Sequence, residues 1–525
     1  MITTTLNLPQ LVAQRAAQIP DDCYLQDVAG PSMTYAEAHQ AALHWTAALD
    51  ALGVTAGGTV ATMLPPGIDY TALVLGIAWS PGVEVPINNA AKGALLQYIL
   101  ADSAAQVLFI HERLLAALDL VDLAATGVRA VIVFGEALPD RPESAVSWRT
   151  ASDVLAATPT AADASGLQGP RDRAIAWIMY TSGTTGQSKG VMCTWRQVRE
   201  STACMAPLDQ MSPGDGYYSV LPLFHQAGRA ALFAAAMFEG RCVYRASFKT
   251  DRFWSDIAET RCTATMMMPV MAKFLLAAPP SDLDASTPLK YVAMVPLLPE
   301  IDAFRNRFGV TARTGFNMTE LAMPILTEGL DQTVAGSCGK VRDGFECRLV
   351  DSDDQEVAIG ETGELIVRAR EPWTLMAGYW NQPEKTVEAW RNLWFHTGDS
   401  FFRDDDGNYF YVDRLKDALR RRGENISSIE VETEINAHPA VAESAVIGVP
   451  AEDGEQEVMA FIRVEPGHTV TEADVYQFLQ PRLARYMLPR YIRFIDSFPK
   501  TEATLRIQKA KLREIGVDGQ TWESA

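Results

Sequence analysis

An apolar run, Ala174-Ile175-Ala176-Trp177-Ile178-Met179-Tyr180, leads straight into Thr181-Ser182-Gly183-Thr184-Thr185-Gly186-Gln187-Ser188-Lys189-Gly190. No other stretch restricts the chain as tightly. The apolar run reads as a buried strand. The loop that follows offers bare backbone N–H groups and hydroxyls to an anion. Its glycines let backbone come close, and Lys189 adds a point charge. Such a loop suits phosphate. It departs from the usual P-loop, because Gly190 rather than Ser or Thr follows the lysine. The alternative is a flexible surface turn, although turns have little need of a lysine among clustered hydroxyls.

The rest of the chain supplies a setting for that strand and loop. Residues 8–55 show helical spacing, with Leu8, Leu11, Val12 and Ala16, then Ala36 to Leu52. Strand and helix patterns then alternate: Thr59–Leu64, Tyr70–Trp79, Val83–Pro86, Leu95–Asp102, Ala105–Ile110 and Arg129–Phe134. Alternation of this kind implies a largely parallel sheet covered by helices. Residues 151–172, rich in Ala, Asp, Ser, Pro and Gly, read as a connector. A second alternating stretch covers 195–325. Residues 337–412 turn to short strands with Gly, Asp and Asn turns, and 429–525 reads as a compact α+β unit. The expected fold is α/β. It has a large N-terminal domain of mainly parallel sheets covered by helices, a β-rich subdomain, and a small α+β C-terminal domain.

At 525 residues the chain is too long for one ordinary core. Lys and Arg number 45 against 65 Asp and Glu, a formal charge of −20, so nucleic acid and anionic membrane are not expected partners. Seven cysteines are scattered without metal or disulfide spacing, which suits a reducing cytosol. No basic-then-apolar signal opens the sequence, and no apolar run approaches the ~20 residues of a membrane span. The expected location is cytoplasmic.

The loop at 181–190 resembles the phosphate loop of the adenylate-forming superfamily, which includes acyl-CoA synthetases, peptide-synthetase adenylation domains and luciferases. Ser188 stands where proline is usual. Further motifs follow in the superfamily's order: Pro222-Leu223-Phe224-His225, Phe316-Asn317-Met318-Thr319-Glu320, Trp394-Phe395-His396-Thr397-Gly398-Asp399, Asp413-Arg414-Leu415-Lys416-Asp417, and Gly423-Glu424-Asn425-Ile426. The wording Arg-Arg-Arg-Gly-Glu-Asn-Ile-Ser is similar to CoA ligases of the crotonobetaine/carnitine and fatty-acid type.

The resemblance implies a set of roles. Thr181, Ser182, Gly183, Thr184, Thr185, Gly186 and Lys189 would cradle the phosphates. Met294, Val295, Pro296, Phe316, Asn317, Asp399, Tyr411 and Arg414 would complete the nucleotide site, Phe316 against adenine and Asp399 on the ribose. Glu320, with Thr185, would hold Mg²⁺, and Thr319 would meet the α-phosphate. His225 would border the acyl carboxylate, among Phe224, Gly228, Met268 and Met318. The small domain would be mobile, turning about Lys416, with domains at 1–413 and 418–525 and a hinge at 414–417. Arg420, Arg421, Arg422, Gly423 and Glu424 would then line a CoA channel. The implied cofactors are ATP or acyl-AMP, CoA and Mg²⁺; the implied substrate is a small-molecule carboxylic acid of hydrophobic character.

Two departures stand out. Aligned on Ile507-Gln508-Lys509, the adenylation lysine is replaced by Arg506 and its preceding glycine by Leu505. A planar guanidinium does not simply replace a compact ammonium; Lys500 and Lys509 are the candidate stand-ins. The superfamily's Gly-Gly-Ala-Pro segment is Ala293-Met294-Val295-Pro296 here, which puts side chains where hydrogens are usual. Three readings stay open. The first is a ligase that acts mainly in thioesterification on preformed acyl-AMP, with a separate adenylating enzyme as a candidate partner. The second is a complete two-step synthetase, and the third a non-catalytic adenylate-binding protein.

Overall fold

Strands that are apolar along nearly their whole length form the centre of the first of the two main sheets. Ala130–Phe134 (AVIVF), Val107–His111 (VLFIH) and Thr59–Met63 are buried over nearly every residue, as strands covered on both faces must be. The first sheet runs Ser147–Thr150, Ala130–Phe134, Val107–His111, Thr59–Met63, Val83–Pro86, Ile175–Thr181, Lys189–Thr194. Its pairs are parallel except the last, where Ile175–Thr181 and Lys189–Thr194 are antiparallel. The second runs Thr311–Arg313, Tyr291–Met294, Cys262–Met267, Gly216–Ser219, Arg241–Tyr244, Cys23–Asp27, Ser32–Thr34. It too is parallel except for its last pair.

This computed structural model describes residues 5–136, 138, 146–159, 166–181, 188–330, 334–414, 419–421, 424–426, 428–451, 456–483, 485–501 and 507–524, with backbone alone at 414, 420, 421, 424 and 425. Helices cover the sheets. Tyr35–Ala51 opens with a capping box in which Thr34 Oγ1 accepts from Glu37 N and Glu37 Oε2 accepts from Thr34 N, at 3.2 and 2.8 Å. Such a cap stabilises a helix by about 1 kcal/mol. Ile68–Trp79 is buried almost all round and packs on it.

Two details differ from the sequence reading. Between the expected helices, Cys23–Asp27 is a strand of the second sheet. It is too short to show a period, and its burial comes from Arg241–Tyr244, far along the chain. The expected connector opens with a helix, Ala151–Ala156, capped by Thr150 Oγ1 accepting from Asp153 N at 3.0 Å.

Packing divides the chain into two compact units. Among the described residues, the larger holds 5–181, 188–346 and 369–388; the smaller holds 347–368 and 389–524. In the larger, short strands Gly315–Phe316, Ile325–Leu326 and Ser337–Val341 form an antiparallel ladder. In the smaller, Gly363–Ala369, Phe395–Arg403 and Tyr409–Arg414 pair antiparallel. A hairpin of Leu419–Arg421 and Glu424–Ile426 follows, then a sheet of Val441–Pro450, Gln456–Val464, Tyr491–Phe494 and Trp522–Glu523. Its core gathers Val431, Ile435, Val446, Ile462, Val475 and Leu479. The fold is thus α/β, with mainly parallel sheets in its large N-terminal part, a strand-rich subdomain and a small C-terminal domain. Among the described residues no helix is long and apolar enough to cross a membrane, and all seven cysteines are free thiols.

Candidate active site

Thr181 and Lys189 sit directly opposite one another where the strands on either side of the phosphate loop meet. Ser182, Gly183, Thr184, Thr185 and Gly186 lie outside the described residues. Gly190 has a steric reason. A Cβ there would come within 2.8 Å of Ile178 Cγ2 and 3.2 Å of Trp380 Cβ, because residues 377–380 run alongside this strand. Met192 N donates to Gly378 O, Ala377 N to Met192 O and Trp380 N to Gly190 O, at 3.0, 2.9 and 2.7 Å. That pairing carries Tyr379 to the site. Lys189 Nζ lies 4.6 Å from the Tyr379 ring centroid, and the Tyr379 hydroxyl donates to Glu320 Oε1 at 2.9 Å. Tyr379 therefore links the loop lysine to the buried Glu320 carboxylate.

The segment 317–323 is clamped by the helix Trp195–Met205. Gln197 Nε2 donates to the carbonyls of Thr319 and Leu321, at 2.8 and 3.0 Å. Asn317 Nδ2 donates to Ser201 Oγ at 3.1 Å, and Asn317 Oδ1 accepts from Met323 N at 2.8 Å. Gln197 is also the third residue of the capping box begun by Thr194, which orients the amide. Backbone hydrogen bonds thus determine where Glu320 and Thr319 stand, with Met376 N on the Glu320 carbonyl at 3.0 Å. Phe316 pairs with Ile325 in the adjoining ladder.

In a parallel sheet, ligands gather at the carboxyl ends of the strands. The second sheet brings several of the expected residues there. Gly216–Ser219 leads to Phe224 and His225, Cys262–Met267 to Met268, Tyr291–Met294 to Val295 and Pro296, and Thr311–Arg313 to Phe316 and Met318. Phe224, Met268, Met318 and Val295 are half-buried and Pro296 is exposed. Met294 is turned the other way, into the hydrophobic core, with Leu298 N donating to its Sδ at 3.4 Å. Gly228 is packed tight: a Cβ would stand 2.2 Å from Pro222 O. His225 caps the helix Gln226–Met237, its Nδ1 accepting from Ala227 N at 3.4 Å. Burial pushes its pKa below the ordinary 6.5, so the ring is neutral near pH 7.

One buried arginine, not singled out in the sequence, holds that turn in place. Arg229 Nε donates to Leu223 O at 2.5 Å, while Nη1 and Nη2 grip both oxygens of Glu84, at 2.5 and 2.7 Å. Tyr70 and Thr62 also donate to Glu84, and the guanidinium lies 4.7 Å from the Trp177 ring centroid. Desolvation works against the charge, yet Glu84 and Tyr70 hold the arginine pKa above its usual value. Three elements meet at one cation: the histidine turn, the strand Val83–Pro86 and the strand that leads into the phosphate loop. Sequence reasoning missed Arg229, Glu84 and Tyr379 because their meaning lies in long-range pairing. Thr194-x-x-Gln197, by contrast, is a readable capping signal.

In the smaller unit Asp399 is buried, opposite Arg414 in the strand pair, with its N–H on Thr397 Oγ1 at 3.1 Å. Tyr411 packs edge-on to Phe401, ring centroids 5.4 Å apart. Asp413 Oδ2 accepts from Ser428 N at 2.9 Å. Lys509 donates to Ser428 Oγ and forms an ion pair with Glu432 at 2.7 Å; Lys500 pairs with Glu443 at 2.7 Å. Lys416, Arg422, Gly423 and Arg506 lie outside the described residues, as do the side chains of Arg414, Arg420, Arg421 and Glu424.

Among the described residues no cluster of three His, Cys, Asp or Glu side chains could hold a metal. Glu320 alone offers one hard carboxylate, which suits an ion such as Mg²⁺ whose other ligands are phosphate oxygens and water.

Comparison with known proteins agrees with this geometry. Residues 12–380 match the AMP-binding enzyme family and 430–504 the AMP-binding enzyme C-terminal domain. Sulfoacetate–CoA ligase of Cupriavidus necator is 32% identical, covering 96% of this chain and 97% of that protein. Long-chain-fatty-acid–CoA ligase FadD13 of Mycobacterium tuberculosis is 30% identical over 97% and 98% of the two chains. The solved anthranilate CoA ligase AuaEII, in complex with anthranoyl-AMP, has a TM-score of 0.84 at 26% identity and covers 98% of both chains. The chain belongs to the AMP-binding enzymes, and within them to the acyl-CoA ligases of the adenylate-forming superfamily.

Proposed function

We propose that this ligase makes the CoA thioester of a carboxylic acid with an apolar body, and that it is weak in adenylation and acts chiefly in transfer of a preformed acyl-adenylate to CoA. One observation carries the reading. Arg506 replaces the adenylation lysine, and both lysines that could stand in for it, Lys500 and Lys509, are engaged by Glu443 and Glu432.

The chemistry follows from charge. Adenylation brings a carboxylate against the α-phosphorus of ATP, so two anions must be neutralised and held in line. In this reading Lys189 and the 182–187 loop hold the outer phosphates, Thr319 meets the α-phosphate, and Glu320 holds Mg²⁺. Bound there, Mg²⁺ would neutralise phosphate charge. Phe316 and Val295 flank the nucleotide, and Asp399 accepts from the ribose hydroxyls. Neutral His225 borders the acyl carboxylate without adding charge. The thiol step needs no cation at position 506, because the anhydride is already formed. A basic run at Arg420–Arg422 would meet the CoA phosphates.

The test is a pair of assays on the full chain and on Arg506→Lys. Pyrophosphate release from acid and ATP should be slow and should rise ~10²-fold in the variant, the scale of one restored transition-state contact. Thioester formation from supplied acyl-adenylate should be fast in both. The end-to-end similarity to whole CoA ligases favours the second reading, a complete two-step synthetase. Pyrophosphate release as fast as thioester formation in the unaltered chain selects it. Neither product would leave an adenylate-binding protein.

A further inference from the structure

Among the described residues the buried Arg229 and Arg199 have carboxylates, Glu84 and Asp172 at 2.5 and 2.7 Å, as does the half-buried Arg245 with Asp256. Arg313 does not. It ends the strand Thr311–Arg313 at the carboxyl edge of the second sheet, largely withdrawn from water. Among the described residues it makes one side-chain hydrogen bond, from Nη1 to Cys204 O at 2.7 Å, and no ion pair. Its Nε is buried without an acceptor. Burial pulls its pKa below the ordinary arginine value, and Asp209, which forms no ion pair with it, offsets that only in part. A guanidinium with five donors and one acceptor is costly to keep in such a place.

It also faces space. Arg313 lines a water-sized cavity with Met205, Tyr217, Ala264, Ala293 and Leu330. Met205 and Ala293 belong to the small apolar cluster that packs Met266, Val295 and Met323. Two residues of the cavity wall, Met205 and Ala293, thus share a cluster with Val295, which follows the strand Tyr291–Met294. Met205 on its wall, with Met266 and Met323 packed behind it, is an adaptable filler that moves aside at low cost.

We propose that Arg313 recognises a second, negatively charged group at the far end of the acyl substrate, so that the acid is a dicarboxylic or sulfo-carboxylic acid with an apolar stem. The proposal rests on the ligase reading above. A carboxylate or sulfonate matches the planar donor fork and supplies the counter-charge that the protein withholds.

The experiment uses synthetic acyl-adenylates, which bypass adenylation, on the full chain, Arg313→Met and Arg313→Lys. The probes are monocarboxylic acyl-AMPs of four, six and eight carbons, and their counterparts ending in carboxylate or in sulfonate. The expected result is a kcat/KM preference of about 10²-fold for an anionic tail, since a site with unpaired donors rejects analogues that lack the acceptor. That preference should vanish in Arg313→Met and survive in part in Arg313→Lys, which also serves if the methionine variant fails to fold. The carboxylate and sulfonate arms identify which anion is favoured. Preference for the plain acyl-AMPs in the unaltered chain, or an anionic preference that persists in Arg313→Met, overturns the proposal and leaves the ligase reading standing. No thioester from any adenylate overturns the ligase reading itself.

Discussion

Residues 317–323 and residues 500–509 both hold charged side chains assigned to the same chemistry, but they hold them differently. In the first, Gln197 clamps the backbone, Ser201 accepts from the Asn317 side chain, and the Glu320 carboxylate accepts from the Tyr379 hydroxyl. The charge is held in place by neighbouring elements. In the second, the cations are cancelled locally: Lys509 by Glu432 and Lys500 by Glu443. Val446 N also donates to Glu432 at 2.7 Å, so that carboxylate belongs to the domain's own framework, even though burial raises its pKa. A preorganised charge serves a transition state at no further cost, whereas a paired one must first leave its partner. The contrast teaches that the 317–323 segment is positioned by neighbouring elements, whereas Lys500 and Lys509 already hold carboxylate partners of their own domain.

Three variants break or sharpen that contrast. The largest effect belongs to Arg229→Met. It leaves Glu84 buried and unpaired, and should cost about 3–5 kcal/mol in chemical denaturation. Glu84→Gln in the same chain should recover part of that loss. A small loss in the single variant would show that the arginine does not hold the histidine turn. Next is Glu320→Gln, which keeps shape and removes charge. Pyrophosphate release should fall ~10²–10³-fold, the scale of a lost electrostatic contact, while thermal stability changes little. An unchanged rate would remove Glu320 from the adenylation step. The smallest is Lys509→Met. Its ion pair is only partly buried, so about 1 kcal/mol of stability should go, with pyrophosphate release unaltered. Loss of adenylation there would make Lys509 the stand-in and undo the comparison.

Much of the candidate site was proposed from short stretches. The strand into the 181–190 loop, the His225 segment and the Phe316–Glu320 motif each carry their meaning within a few residues, because backbone geometry and turn chemistry are local. Other features were not. Met294 looked like a side chain added to the nucleotide face, yet strand alternation turns it into the core beside Leu298. The short strand Cys23–Asp27 had no period to read. Arg313 was not singled out, since whether a carboxylate meets a guanidinium cannot be seen in a sequence.

Residue order alone determined the alternation of strands and helices, the phosphate-type loop, the family and the arginine at 506, because each depends on neighbours along the chain. Only tertiary structure decided which charges are spent on one another. Glu84 and Arg229 stand far apart in sequence and meet at 2.5 Å. Lys509 meets Glu432, and Arg313 forms no ion pair among the described residues. The physical reason is that the worth of a charge is set by burial and by what surrounds it, and both are properties of packing rather than of sequence.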